Sequence, residues 1–247
     1  MVVSDTTGVQ FADWSDTIFR PVLIKVSTKT ADVDPRDNAL RFNLKRDQSF
    51  HALERDVQPP GRLLDIGSGN GRLLYLAKQA GWDTMGLELS DSMARFVTAE
   101  LGIEVLVANF LDPTPELGSI EAFDAVVLRH VLEHLPDPLV TMEKLRALVK
   151  PQGHLLLEMP NIEAATKKWS RFVVGTGWYR RKFDADFMAG QCNEYSRRSM
   201  NYLAAKTGFE VVRWETYSMK PVPNWFYNRV PIGNKARALL RHSSVNQ

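Results

Sequence analysis

Cysteine is almost missing from this chain of 247 residues: Cys192 stands alone, so no internal disulfide can form and a reducing compartment is expected. No run of about 18 apolar residues occurs, which excludes a helix that crosses a membrane. Met1–Gln10 contains Asp5 and no apolar stretch, so it does not read as a signal peptide, and a cytoplasmic location is expected. Internal repeats and low-complexity tracts are also lacking, which sets aside solenoids and fibrous arrays. What remains is ordinary globular material. Its 44% apolar and 24% charged residues can bury a sizeable core, so disorder, collagen and coiled coil are excluded as the main architecture.

The net charge of +2 conceals an asymmetry. Residues 1–160 hold 16 basic and 23 acidic side chains, whereas residues 161–247 hold 15 and 6. Two readings of the basic final third stand side by side: a solvated face, or a surface that steers an anionic substrate.

Short apolar runs alternate with amphipathic stretches from Arg62 to Asn161. Strands are expected at Arg62–Gly67, Thr84–Leu89, Glu104–Asn109, Phe123–Arg129 and His154–Met159. The intervening helices run to about Ala80, from Ser90 or Asp91 to Gly102, and over Asp137–Lys150 with Gly153 as its stop. A further helix, Ser196–Thr207, and a sixth strand, Phe209–Tyr217, follow. Such alternation implies right-handed crossovers and a mostly parallel sheet with helices on both faces, an α/β fold. Two segments break it: the aromatic-bearing first 55 or so residues, read as helical decoration, and residues 162–192, read as a lid.

Gly67-Ser68-Gly69-Asn70-Gly71 follows the first strand and opens a helix, where glycines allow a sharp turn and a close ligand approach. The dinucleotide fingerprint requires Gly or Ala where this chain has Arg72, and no G-K-[ST] of a phosphate loop is present. Asp65 puts a carboxylate at the mouth of the loop, which repels a pyrophosphate and suits an ammonium or sulfonium. Glu88 ends the second strand, where a carboxylate can accept from both hydroxyls of a ribose. Together these features point to an adenosine ligand with a positive tail and no phosphate.

The runs LLDIGSGNGRLL (63–74), GLELS (86–90), FDAVVLRHVLEHLPDP (123–138) and LVKPQGHLLLEMPN (148–161) resemble the ordered motifs of class I S-adenosylmethionine-dependent methyltransferases. The subgroup most resembled contains the ubiquinone- and menaquinone-biosynthesis enzymes and many natural-product methyltransferases. The resemblance covers about residues 62–217 and implies a Rossmann-like sheet of six or seven strands. It further implies S-adenosylmethionine as cofactor, S-adenosylhomocysteine as product, and methyl transfer to O, N or C of a small-molecule acceptor. Asp65, Gly67 and Gly69 then lie along the methionine moiety, with Asp65 near the amino group; Ser68 and Gly71 also belong to the cofactor site, Glu88 binds the ribose, and Leu89 lies against the adenine. Asn109 and Phe110 flank or hydrogen-bond the adenine, and Arg129 and His130 stand at the end of the fourth strand, where the main chain holds the methionine end and side chains face the acceptor. The resulting organisation is an N-terminal helical cap over 1–55, a cofactor-binding domain over 56–220 with the lid at 162–192, and a basic extension over 221–247.

Two departures from the pattern are visible. Gln191 stands where the subgroup often carries a histidine before the penultimate strand. Residues 221–247, with Pro221, Pro223 and Pro231, show no alternating pattern for the family's antiparallel last strand, which is expected to be degraded, displaced or missing.

His130 and His134, as acid/base candidates, are four residues apart and share a helix face if the segment is helical. For His134 the competing reading is an anchor of its loop together with Glu133. The two could hold a metal only with a third ligand, which the sequence does not show, so no metal is expected. Trp169, Trp178, Tyr179 and Tyr195 are candidate acceptor contacts, against the alternative that they pack the core; His51 is a weaker candidate, against a surface role. Asn224–Arg229 is open between acceptor wall and peripheral membrane contact. Three other readings remain: a nicotinamide oxidoreductase, disfavoured by Arg72 and Asp65; a nucleic-acid- or protein-modifying methyltransferase; and a cofactor-binding scaffold without turnover. No nucleic-acid partner is expected, and the oligomeric state stays open.

Overall fold

The computed structural model describes residues 2–4, 10–12, 47–112, 122–165, 167, 193–218 and 233–243. A short hairpin pairs β1 (Val2–Ser4) with β2 (Gln10–Ala12). Helix α1 (Gln48–Glu54) then leads into the main unit. That unit comprises β3 (Arg62–Ile66), α2 (Arg72–Gln79), β4 (Asp83–Glu88), α3 (Asp91–Leu101), β5 (Glu104–Val107), β6 (Phe123–Arg129), α4 (Pro138–Leu148), β7 (Val149–Pro160), α5 (Arg197–Lys206), β8 (Phe209–Tyr217) and β9 (Lys235–His242). The seven-stranded sheet runs β5-β4-β3-β6-β7-β9-β8, and only β9 is antiparallel to its neighbours.

Local chemistry sets the helix ends. Ser90 starts α3 and Gly102, at φ 60°, stops it. Asp137 accepts from the amides of Leu139 and Val140 and is followed by Pro138. Ser196 and Ser199 form a reciprocal capping box on α5. The central strands are buried on both faces, so they read as continuous apolar runs. On one face Leu63, Ala125, Val127, Leu156 and Leu239 meet Phe50 and Leu53 of α1 and Leu73, Leu74 and Ala77 of α2. On the other, Leu64, Val126, Leu128, Leu155 and Leu157 meet Met142 and Leu145 of α4 and Met200 and Leu203 of α5.

Three expectations change. The last strand is neither degraded nor missing: β9 lies between β7 and β8, so the sheet continues well past residue 220 into the segment read as an extension. Its run Ala236–Leu240 is buried throughout, so no alternation betrays it, and tertiary context overrides the helix preference of Ala and Leu. Gly153 does not stop α4, which ends at Leu148; Val149 already pairs with Phe123. Gly153 lies inside β7, where an added Cβ would come within 2.9 Å of the Lys150 carbonyl. The basic final third also proves partly internal. Arg213 pairs with Asp56, Arg237 with Glu158 and Arg241 with Glu210, so part of its charge answers the chain's own carboxylates.

Candidate functional site

Strand order reverses between β3 and β6, since the chain builds outward through β4 and β5 on one side and through β7 on the other. Open α/β sheets bind ligands in the crevice beyond the strand ends at such a point. There the loop Gly67–Gly71 turns from β3 into α2. Gly67, Gly69 and Gly71 all have positive φ, and an added Cβ at Gly67 would lie 2.7 Å from Val131 Cγ2. A Cβ on Gly69 would meet nothing within 4 Å, so the loop's outer side is open to a ligand. Ser68 is buried, and its amide donates to the Leu87 carbonyl.

Asp65 is fully buried at the end of β3. Its Oδ2 accepts from Arg129 at 3.0 Å, while its Oδ1 has no hydrogen-bond partner among the described residues. Burial pushes the Asp65 carboxyl up to about 6; Arg129 pulls it down, and the neighbouring Asp47 adds to the rise. The same guanidinium contacts Asp47 Oδ2 at 3.1 Å. Burial acts to raise the Asp47 carboxyl, but Arg129 and the amides of Phe50 and Ser49 outweigh it and hold it below the ordinary value. Asp47 escaped the sequence reading; the only signal was an N-cap residue ahead of the apolar pair Phe50 and Leu53.

Glu88, at the end of β4, accepts from the Gly69 amide at 2.7 Å and from the Ser90 amide at 3.0 Å. The carboxylate therefore ties the glycine loop to the next turn and keeps acceptor capacity for a ligand hydroxyl. Leu89 beside it is half exposed, an unusual place for leucine and a ready apolar surface. Asn109 accepts from the Leu111 amide at 3.1 Å and stays partly exposed. Phe110 turns inward to the core, which leaves Asn109 as the outward member of that pair.

Beyond β6, His130 sits at φ 55° and only Leu132–His134 forms a single 3₁₀ turn, so the two histidines do not share a helix face. The ring of His130 bridges two groups: Nδ1 lies 3.2 Å from Glu133 Oε1 and Nε2 lies 3.1 Å from Lys235 Nζ. Lysine can only donate, so Nε2 is the acceptor and Nδ1 carries the proton toward the buried Glu133. Lys235 belongs to the strand that the sequence concealed. The loop is anchored by Asn193, whose amide donates to the Glu133 carbonyl and whose side chain donates to the Leu135 carbonyl. His134 is half-buried, with its amide on the Val131 carbonyl.

Tyr195 is completely buried and its hydroxyl reaches the Leu132 carbonyl, so it packs the core rather than facing an acceptor. His51 is exposed on α1 against Glu54. Trp169, Trp178, Tyr179, Gln191 and Asn224–Arg229 lie outside the described residues, as does the segment read as a lid apart from its first few positions. Among the described residues no group of three or more metal-ligating side chains occurs, and no helix is long and apolar enough to cross a membrane.

The sequence profile of a family described as "Methyltransferase domain" matches residues 39–213. Among curated proteins, the chain is similar to the ubiquinone biosynthesis O-methyltransferase of Cronobacter sakazakii, with 32% identity over 126 residues covering 49% of this chain and 50% of that protein. It is similar to the Proteus mirabilis protein of the same name at 30% identity, covering 57% and 55%. The chain thus spans about half the length of these relatives. Among solved structures, the 1,6-didemethyltoxoflavin-N1-methyltransferase of Burkholderia thailandensis, with S-adenosylhomocysteine bound, superposes with a TM-score of 0.61 at 16% identity, covering 96% of this chain and 95% of that one. At that identity the likeness concerns the fold.

Proposed function

Since the chain belongs to the methyltransferase-domain family, we propose that it transfers the methyl group of S-adenosylmethionine to a small-molecule acceptor. The observation that carries this reading is Asp65, a fully buried carboxylate at the strand-order reversal with one oxygen left without a partner among the described residues. An acid so placed accepts a hydrogen bond from a ligand ammonium and opposes a pyrophosphate. Glu88 and the half-exposed Leu89 suit a ribose and an adenine in the same crevice.

When bound, the cofactor supplies a methyl already activated by its sulfonium. The protein's part is then alignment, which supplies on the order of 7–11 kcal/mol when reacting atoms are well oriented. In this reading His130 Nε2 takes the proton of an acceptor hydroxyl that displaces Lys235, and Glu133 steadies the imidazolium that results; the contacts of the ring with Glu133 and Lys235 support it. The O-methyltransferase names of the relatives favour an oxygen acceptor. Acceptor contacts by Trp169, Trp178 and Tyr179, and a peripheral membrane contact through Asn224–Arg229, are further parts of the proposal.

Native mass measurement of the purified protein, together with calorimetric titration, tests the reading. Bound or titratable S-adenosylhomocysteine is expected. Uptake of NAD with no response to S-adenosylmethionine or S-adenosylhomocysteine overturns it.

A further inference from the structure

Five neighbouring strands carry a row of alternating charge: Asp65 on β3, Arg129 on β6, Glu158 on β7, Arg237 on β9 and Glu215 on β8. Arg129 and Glu158, Glu158 and Arg237, and Arg237 and Glu215 are register partners. Asp65 is paired with Val127, so Arg129 reaches it diagonally. All five residues continue the face on which Leu63, Val127, Leu156 and Leu239 pack against α1. Arg237 and Glu158 form a buried ion pair, and Glu215 lies 3.5 Å from the Arg237 guanidinium.

Helix α1 is fastened to this row at both ends. At its start, Asp47 contacts Arg129 at 3.1 Å. At its end, Arg55 contacts Glu215 at 2.6 Å, Asp56 pairs with Arg213, and Arg213 donates to the Ala52 carbonyl at 2.5 Å. Apolar contact through Phe50 and Leu53 seats a helix without fixing its slide or rotation; charged contacts at both ends fix both.

Asp47 divides its two oxygens between two tasks. Oδ1 caps α1 by accepting from the Ser49 and Phe50 amides at 2.8 and 3.1 Å, and Oδ2 holds Arg129. Without the second contact, Arg129 would be free to close with both arms on Asp65, since guanidinium and carboxylate match as a bidentate pair. Asp65 Oδ1 would then be covered.

We propose that Asp47 is a positioning residue: by drawing Arg129 partly off Asp65 it keeps Asp65 Oδ1 available for the ammonium of the cofactor's amino-acid tail, and so couples the seating of α1 to cofactor recognition. This rests on the cofactor reading above. The trio of Asp47, Arg129 and ionised Asp65 carries one net negative charge, which complements an ammonium; removal of Asp47's charge leaves a neutral pair.

Calorimetry on the full chain with two probes separates the possibilities. S-adenosylhomocysteine has the amino-acid tail; 5′-methylthioadenosine lacks it but keeps adenine, ribose and sulfur. Asp47→Asn retains an oxygen for the helix cap and loses the charge on Arg129. It is expected to weaken S-adenosylhomocysteine binding about tenfold, within the usual range of coupling between sites, and to leave methylthioadenosine affinity near wild type. Glu215→Gln, which loosens the far end of α1 without touching the crevice, is expected to give a smaller loss of the same ligand-selective kind. Equal losses for both ligands, or unchanged S-adenosylhomocysteine affinity in either variant, overturns the proposal. A wild-type protein that binds neither ligand overturns the cofactor reading as well, which makes the two failures distinguishable.

Discussion

Lowering the pH from 7 to 5 should weaken S-adenosylhomocysteine binding about tenfold and leave 5′-methylthioadenosine binding flat. The reason lies in Asp65. Burial raises its carboxyl to about 6, above the ordinary 3.8, against the pull of Arg129. A ligand ammonium requires the ionised form, and one unit below that midpoint only about a tenth of Asp65 is ionised. Stability must respond with the opposite sign. An acid whose folded value lies above its unfolded one binds more protons when folded, so the ligand-free protein gains stability as pH falls from about 6 toward 3.8. A shift of about two units corresponds to roughly 3 kcal/mol at most. Asp65→Asn removes the ionisation and should make ligand affinity independent of pH between 5 and 7. Its affinity should sit about ten- to a hundredfold below wild type at pH 7, the loss of one charge-assisted hydrogen bond. Titration calorimetry of both ligands at three pH values, with chemical denaturation alongside, makes the comparison. Parallel pH profiles for the two ligands in the wild type would refute the assignment of the ammonium to Asp65.

Other variants test neighbouring parts. Glu88→Ala should weaken S-adenosylhomocysteine and methylthioadenosine alike, by about tenfold or more, because both carry the ribose that Glu88 is proposed to hold; unchanged calorimetric affinity counts against that role. Gly67→Ala puts a side chain at φ 74° and 2.7 Å from Val131 Cγ2, so a loss of about 1–2 kcal/mol from backbone conformation plus the clash is expected. Adding Val131→Ala should recover the clash component and not the backbone component, as read from urea midpoints. Arg237→Met removes the ion-pair partner of the buried Glu158 and should cost up to about 3–5 kcal/mol, whereas Arg237→Met with Glu158→Gln should recover much of that; equal stability of the two variants argues against the buried pair.

The glycine loop and its carboxylates were legible because they depend on short stretches of chain. The glycine loop, Asp65 before it and Glu88 at the next strand end are local consequences of a strand–turn–helix unit, and the structure puts all of them at the strand-order reversal. The sixth strand Phe209–Tyr217 and the helix that begins near Ser196 were equally plain, since their signals lie within a few residues. Phe110 and Tyr195 were harder to place. An aromatic residue next to a site and one packed beneath it look the same in a sequence, and both are buried here.

The chain's own order thus determined the alternation of strands and helices, the loop conformations that demand glycine, and the carboxylates that such a loop presents. Tertiary structure alone decided three further things: that Lys235–His242 becomes a strand, that Asp47 shares Arg129 with Asp65, and that Lys235 meets His130. The last two join residues 64 to 105 positions apart, and the strand pairs with partners 18 to 87 positions away. Periodicity and propensity report only on near neighbours. Burial on both faces erases the alternation that marks a strand, and a charge pair across a sheet depends on register, which exists only once the strands have met.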